Sequence, residues 1–421
     1  MCAAENRFET FLSVCEKHHL AIVYFIIGLV IFAGLGYSLS LGDDLRYPDE
    51  LEYITLATHL AHDGAYSLDG AIPTAYKPPG YPLLLSIMIL FGAKTPILRF
   101  VNFLLLGSSI YMLHRLLHKL SSSLASVLGA VLVLFYPLFF YTAGTLYPQM
   151  LGTFLFLAFI SPLLLQDTRT TAQAIVAGVA CGWLILTIPT FLFFLVATNV
   201  FLFISRKKYL TPITVFVTAV FVVGLWTFRN FVVFDSFVLI STNSGLNLLL
   251  GNSEHSTANS GVNADVSKFE HNATGMSEIE RDRYFRSRAI EFIRDNPRNA
   301  LMLYLKKTAN FFNYRNDLFV STESSPWRDW VMLLTFGPLL GLFVTRICLF
   351  RVFPFSELEK YLSAAYLSSA FLQAVFFTRI RFRVPFDFLL IAEVAILLSL
   401  LSMKVVGKEI PKLKAERFIS S

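Results

Sequence analysis

The chain has 421 residues, of which 55% are hydrophobic and only 15% are charged. Soluble globular domains carry charge on about 25% of their residues, so this composition excludes an ordinary soluble globule. The net charge of +6 does not indicate a nucleic-acid-binding protein, because Lys and Arg stand in short clusters between apolar segments. Four cysteines, none of them within residues 251–327, argue against a disulfide framework in the long polar segment.

About eleven apolar runs follow one another along the chain, many of them near the roughly 20 residues that span a bilayer as a helix. They cover residues 20–41, 79–91, 96–117, 123–141, 147–165, 172–187, 189–204, 211–228, 330–350, 358–377 and 384–403. The predicted fold class is therefore an all-α polytopic membrane protein with about 10–11 transmembrane helices and further helices at the outer membrane surface.

Basic clusters predict how the chain is oriented. Lys17, with other basic residues before the first run, indicates a cytoplasmic amino terminus. The clusters at 114–119, 206–208 and 346–351 and the basic tail can all be cytoplasmic only if one apolar run is not a complete crossing. Run 79–91, short and opened by prolines, is one candidate; a single bent crossing over 172–204 would serve equally well. Both solutions place residues 42–78 and 230–327 outside.

Three parts follow from this arrangement: residues 1–229 as a transmembrane module with the first outer loop (42–78), residues 230–327 as an outer segment, and residues 328–421 as carboxy-terminal membrane helices with a basic cytoplasmic tail. In the outer segment, Ser277 followed by two glutamates predicts a helix start, and Pro297 predicts a break between two helices. The second of these is expected to be amphipathic and to lie close to the membrane.

The first outer loop concentrates acidic residues, namely Asp43, Asp44, Asp49 and Glu50. Pro48 predicts a helix start, which puts Asp49 and Tyr53 on one face while Glu50 turns aside. An acidic helix start at a membrane surface is the simple interpretation. The loop returns to the membrane through Tyr76 and Lys77, however, and a carboxylate beside a cation suits transfer from a phosphate leaving group.

A family resemblance rests on this same loop. The order DE, Tyr53, a helix ending in HDGAY and then AYKPPGYP resembles the GT-C superfamily of polyprenyl-phosphate-sugar-dependent glycosyltransferases. It is most similar to the branch that contains protein O-mannosyltransferases and lipid A aminoarabinose transferases. The segments IVAGVACGWLILTIP, LWTFRN, LISTNSGLNLLLGN and RIRFRVPFDFLL also look like family segments.

The resemblance implies an inverting glycosyltransferase that moves a sugar from a polyprenyl-phosphate carrier to a lipid, glycan or protein acceptor. It implies an integral protein of a bacterial inner membrane, in contact with membrane lipids, whose active site faces the periplasm. Asp49 is then the catalytic base, with Glu50 beside it. The cations expected on the donor phosphate, and the other residues expected to bind substrate, are Lys77, Arg229, Arg379, Arg381 and Arg383, with Asp44, Tyr53, Tyr76 and Asn230.

Two positions depart from the family pattern. Ile188 stands where relatives commonly have a basic residue, and Gln149 where they often have an acid. The substrate and one phosphate contact are thus left open. No metal site is predicted, although a divalent metal ion stays open as a cofactor because some superfamily members hold one with acidic residues.

Two other classes of function compete with this interpretation. A transporter or flippase for an amphiphile would also place charges in or beside the membrane, but it would be expected to show two related halves with broken helices. The sequence shows no such halves. A noncatalytic membrane subunit that scaffolds such enzymes is the third alternative.

Overall fold

The computed structural model describes residues 2–165, 170–206, 209–315 and 325–407. Within these ranges the chain forms seventeen α-helices and no β-strand, apart from one isolated bridge between Ser67 and Pro73. The all-α fold class is therefore confirmed. The basic tail from residue 408 onward, and residues 207–208 of the second basic cluster, lie outside the described residues.

Ten helices form the amino-terminal part: α1 (Cys2–Leu41), α2 (Pro48–Asp63), α3 (Gly80–Leu90), α4 (Thr95–Leu120), α5 (Ser123–Leu134), α6 (Pro137–Ala143), α7 (Gln149–Leu165), α8 (Thr171–Thr187), α9 (Leu192–Arg206) and α10 (Leu210–Phe234). Seven more follow: α11 (Ser244–Gly251), α12 (Ser267–Asn272), α13 (Glu278–Asp295), α14 (Pro297–Asn310), α15 (Pro326–Cys348), α16 (Glu357–Ala374) and α17 (Ile380–Val405). Each predicted apolar run is mainly helical.

The apolar helices differ in length. In the described ranges, five are long and apolar enough to cross a membrane: Leu12–Leu41, Thr95–Leu120, Leu210–Phe234, Pro326–Arg351 and Ile380–Val405. Helices α5 and α6, which meet at an angle of 61°, can form a sixth span together. Shorter apolar helices include α3, which at 11 residues is about 16 Å long and too short to cross the bilayer core. This length agrees with a partial helix at 79–91, and the short helices α8 and α9 agree equally with the alternative of one bent crossing over 172–204.

Helix α17 is the centre of the membrane part. Of its most apolar window, 89% is buried, and it packs against α5, α7, α15 and α16. The helix also carries the buried charged side chains Arg383, Asp387 and Glu393, and charged groups within a membrane helix face other helices rather than lipid, which explains its central position. Its first turns carry Arg381 and Arg383 towards the end of the helix bundle where the first outer loop lies.

The predicted outer helices are present. Ser277 caps α13, where its side chain accepts a hydrogen bond from the backbone of Glu280, and α14 begins at Pro297 as expected. Helix α13 packs against α11, and both share a small apolar cluster around Leu249, Phe285 and Phe377. Phe377 belongs to the turn between α16 and α17, so this cluster attaches the outer helices to the membrane helices.

Candidate active site

Asp49 lies in the first turn of α2, which begins at Pro48 as the sequence predicts. Its Oδ1 atom is 2.8 Å from Lys77 Nζ and its Oδ2 atom is 3.3 Å from Arg381 Nη1. The side chain keeps 31% of its surface exposed, so the carboxylate can be reached by a ligand. Burial acts to raise the pKa of Asp49, but the charges of Lys77 and Arg381 lower it below its ordinary value. Asp49 is thus an ionised carboxylate at neutral pH.

Lys77 is held between two carboxylates of α2. Its Nζ atom is 2.8 Å from Asp49 and also 2.8 Å from Glu52 Oε2, and the ammonium lies about 5.5 Å from the ring centres of Tyr53 and Tyr76. Burial acts to lower the pKa of Lys77, but Tyr53 and the carboxylates raise it above its usual value. The side chain is only 11% exposed and carries a fixed positive charge.

The three arginines predicted near the start of the last helix have different surroundings, and Arg379 lies just before that helix. Arg381 lies over the ring of Tyr147 at 4.8 Å and reaches Asp49. Arg383 is fully buried, pairs with Asp387 at 3.0 Å and donates to the carbonyl oxygens of two residues that follow α14. Arg383 is therefore part of the packing between helices and does not face Asp49.

Two cavities meet at Asp49. Both are lined by Asp49, Tyr147, Gln149, Val262 and Arg381. The first, here called the amide cavity, has a volume of about 600 Å³ and is lined further by Tyr53, Tyr76, Lys77, Asn243, Asn247 and Gln373. The second, here called the arginine cavity, has a volume of about 590 Å³ and is lined further by Arg315, Arg328, Arg379, Leu138, Val331 and Met332.

Glu50 has a different environment from its neighbour Asp49. It is fully buried, and its carboxylate accepts backbone N–H groups of Arg46 (2.6 Å), Tyr47 (3.0 Å) and Leu146 (2.7 Å). Glu50 lines neither cavity, so it fixes the start of α2 against the segment that leads into α7. Asp44 is exposed and also lies outside both cavities, and its carbonyl oxygen accepts a hydrogen bond from Arg99.

Arg229 and Asn230 also lie outside the two cavities. Arg229 donates to the carbonyl oxygen of Thr74 at 2.9 Å and packs over Trp226 at 4.8 Å. The Asn230 side chain is buried and donates to the carbonyl of Val238 at 3.1 Å. Both side chains hold loop backbone where the structure brings the first outer loop against the end of α10.

Three residues of the site were not among the predicted site residues. Glu52 follows Asp49 by three positions, a spacing that brings side chains together on a helix, so helical periodicity could have found it. Tyr147 lies just before α7 and Gln149 is its first residue, and neither carries a local signal, although Gln149 stands out as a departure from the family pattern. Within the described part of the chain, no three His, Cys, Asp or Glu side chains are grouped to hold a metal ion.

No protein-family model and no curated protein sequence matches the chain. Among solved structures, the apo oligosaccharyltransferase of Archaeoglobus fulgidus matches with a TM-score of 0.57 and 16% identity, over 93% of this chain and 51% of that chain. AglB from the same organism, in complex with an inhibitory peptide and a dolichol-phosphate, matches with a TM-score of 0.50 and 13% identity, over 92% and 50%. ArnT from Cupriavidus metallidurans, bound to undecaprenyl phosphate, matches with a TM-score of 0.42 and 13% identity, over 91% of this chain and 77% of that chain.

The two matches with TM-scores of 0.57 and 0.50 define the class of fold. The chain has the same fold as the oligosaccharyltransferase of Archaeoglobus fulgidus, which agrees with the GT-C fold that the resemblance in sequence predicted. It is an integral, multi-pass membrane protein. The chain spans about half the length of the oligosaccharyltransferase that it matches. At 16% identity, the similarity concerns the fold.

Proposed function

We propose that this chain is an inverting glycosyltransferase that moves a sugar from a polyprenyl-phosphate carrier to an acceptor hydroxyl of a lipid, glycan or protein. The observation that carries the proposal is the position of Asp49, an accessible carboxylate where two cavities meet, within 3.3 Å of both Lys77 and Arg381. The GT-C fold supports the general kind of reaction. The dolichol-phosphate in the AglB complex supports a lipid phosphate as the carrier.

The reaction would be a single displacement at the anomeric carbon. The acceptor oxygen bonds to that carbon while its proton passes to Asp49. The bond between the anomeric carbon and the phosphate oxygen breaks, and its electron pair leaves with the polyprenyl phosphate. Because no covalent intermediate forms on the protein, the configuration of the sugar inverts.

The arginine cavity suits a polyprenyl phosphate. Arg315, Arg328 and Arg379 line it together with Arg381, and guanidinium groups bind phosphate through pairs of parallel hydrogen bonds. Apolar side chains of α6 and α15 line the same cavity, so the isoprenoid chain would have apolar surface beside the phosphate. The developing negative charge of the leaving phosphate would thus meet positive charge, which lowers the barrier.

Substrate binding would also raise the basicity of the Asp49 carboxylate. In the free protein its carboxylate is paired with Lys77 and Arg381, and a carboxylate with a lowered pKa is a weak base. A donor phosphate competes for the same cations, because it offers further oxygen atoms to their donor groups. When Arg381 donates hydrogen bonds to the phosphate, it donates fewer to Asp49. The pKa of Asp49 then rises, and Asp49 is a stronger base in the complex than in the free protein.

The site would face the outer side of a bacterial inner membrane. Arg99, near the start of α4, donates to the carbonyls of Gly42 and Asp44 at the end of α1 and beside α2. Arg115 and Lys119 lie at the other end of α4. Basic residues favour the cytoplasmic side, so Asp49 falls on the opposite face.

A direct assay tests the proposal. The purified chain is incubated with a panel of sugar-bearing polyprenyl phosphates and an acceptor pool of cell-envelope lipids and glycans, and mass spectrometry follows the release of free polyprenyl phosphate. We expect release that depends on the acceptor. No release with any member of the panel would contradict the enzyme assignment. In proteoliposomes, movement of the intact glycosylated carrier across the bilayer, without release, would favour a transporter.

A further inference from the structure

Two buried glutamines line the amide cavity, and the amide oxygen of each has no hydrogen-bond donor in the described part of the chain. Gln149 is 5% exposed and Gln373 is 6% exposed, and both line the cavity. Among the residues that the structure describes, no group donates to the Oε1 atom of either side chain. Buried polar atoms are nearly always paired in folded proteins, so an unpaired one in a cavity wall indicates a contact that a ligand completes.

The orientation of Gln373 makes this argument firm. Its Nε2 atom donates to the carbonyl oxygen of Phe382 at 2.9 Å. Only the nitrogen of an amide can donate to a carbonyl, so the other atom of this side chain must be the oxygen. The unpaired atom of Gln373 is therefore a hydrogen-bond acceptor in a residue of the cavity wall, and a group that pairs with it must supply a donor.

We propose that Gln149 and Gln373 bind hydroxyl groups of the transferred sugar, which occupies the amide cavity. This inference rests on the proposed function and names the substrate class of the same site. An ionised phosphate diester offers no hydrogen-bond donor to an amide oxygen, whereas each sugar hydroxyl does. Gln149 lines both cavities, so it lies where a sugar would join its phosphate in the arginine cavity.

The distribution of charge supports the same assignment. In the amide cavity, Lys77 and Arg381 are both already paired with acidic side chains of α2. Asp265 and Glu270 line the same cavity and are exposed, and they give its mouth a negative charge. A sugar acid would bring its carboxylate towards these acids and the amide oxygens, so the cavity favours an uncharged or amino-substituted sugar over an acidic one.

Equilibrium binding to the purified full-length chain tests the proposal with three kinds of probe: undecaprenyl phosphate, undecaprenyl phosphate carrying neutral or amino hexoses and pentoses, and the same carrier bearing glucuronic acid. We expect at least one neutral or amino sugar to increase the affinity over the bare carrier by about tenfold or more, and glucuronic acid to give no increase. Gln149→Leu and Gln373→Leu should each reduce the increase by about three- to tenfold.

Tyr366→Phe is the matched control. Tyr366 lies on α16, as Gln373 does, and its buried hydroxyl has no partner within the described ranges, but it lines neither cavity. This variant should keep the full increase in affinity from the sugar. The increase would disappear equally in all three variants if the effect were a general one of core packing, and that result would overturn the proposal.

Other outcomes separate this inference from the proposed function. If undecaprenyl phosphate binds but no sugar increases the affinity, the polyprenyl-phosphate site stands and the sugar subsite is wrong. If both glutamine variants keep the whole increase, or glucuronic acid binds as well as the neutral sugars, the assignment to Gln149 and Gln373 is also wrong. If undecaprenyl phosphate itself does not bind, the proposed function fails and the subsite fails with it.

Discussion

Lys77 and Asp49 form a 2.8 Å ion pair across 28 residues of the first outer loop. Glu52 lies equally close to the same ammonium, and Arg381 reaches Asp49 from the last helix. Two positive and two negative side chains thus meet at one point and balance each other. Arg381 is the cation of this group that lines both cavities, so a phosphate in the arginine cavity can replace part of its pairing with Asp49, and the free protein carries no excess of charge at this point.

Asp49→Asn tests the base directly. The amide cannot accept the proton of the acceptor, so we expect the rate of sugar transfer to fall by a factor of about 100 to 10,000, the usual contribution of a general base. Release of polyprenyl phosphate from a glycosylated carrier measures this rate. Asp43→Asn is the control, since Asp43 is exposed in the same loop and lines neither cavity. Transfer at the wild-type rate in Asp49→Asn would remove this residue as the base.

The pH dependence of transfer follows from the lowered pKa of Asp49. Activity needs the ionised carboxylate, so kcat/KM should fall only as the pH drops through a pKa below that of an ordinary aspartate. Lys77→Met removes one of the two cations that hold the pKa down, while burial still raises it. The acidic limb of the kcat/KM profile should then move to higher pH. An unchanged limb in Lys77→Met would mean that another group controls it.

Local sequence rules predicted one half of the site. Pro48 and the acids after it gave the start of α2, and helical geometry separated Asp49 from Glu50, which the structure places outside both cavities. The return of the loop as YKPPGYP brought Lys77 back to the same end of the molecule. Proline stiffness and helix periodicity act over a few residues, so these features could be predicted from the sequence alone.

The other half depends on tertiary structure. Arg381 meets Asp49 across 332 residues, and no local pattern encodes such a contact. The sequence grouped Arg381 with Arg383, yet residues two apart on a helix point about 200° away from each other. The predicted apolar run began only at residue 384, whereas α17 begins at Ile380. Both arginines therefore lie on the helix, where they point to different sides. The roles of Asp49, Lys77 and the arginines in catalysis stay predictions.

Glu50→Gln tests whether Glu50, which follows Asp49 in the first outer loop, stabilises the fold. Its carboxylate accepts three backbone N–H groups in a fully buried place, and an amide side chain would bring donor hydrogens towards one of them. We expect a loss of about 2 kcal/mol in the free energy of unfolding and a lower thermal midpoint for the detergent-solubilised protein. Glu254→Gln, at an exposed site, should leave the midpoint unchanged. An unaltered midpoint in Glu50→Gln would contradict this account.

Lys307 connects α14 to two other parts of the outer region. Its ammonium is buried and donates to the carbonyl oxygens of Gly251 (2.9 Å) and Phe376 (2.8 Å) and to the side-chain oxygen of Asn252 (3.2 Å). All three partners are uncharged. Burial therefore lowers the pKa of Lys307 from 10.5 to about 8.

This lowered pKa predicts how stability depends on pH. Between the two values the unfolded chain binds more protons at Lys307 than the folded chain does, so the free energy of unfolding should rise with pH through this window. Integrated over the window, the rise amounts to at most about 3 kcal/mol. Lys307→Met lacks this pH-dependent contribution to the free energy of unfolding. The thermal midpoint of wild type should therefore rise relative to that of the variant between pH 7.5 and 10. Lys306→Met, at the exposed neighbouring position, should show a constant difference. A constant difference in Lys307→Met as well would mean that the buried amine does not titrate in this range.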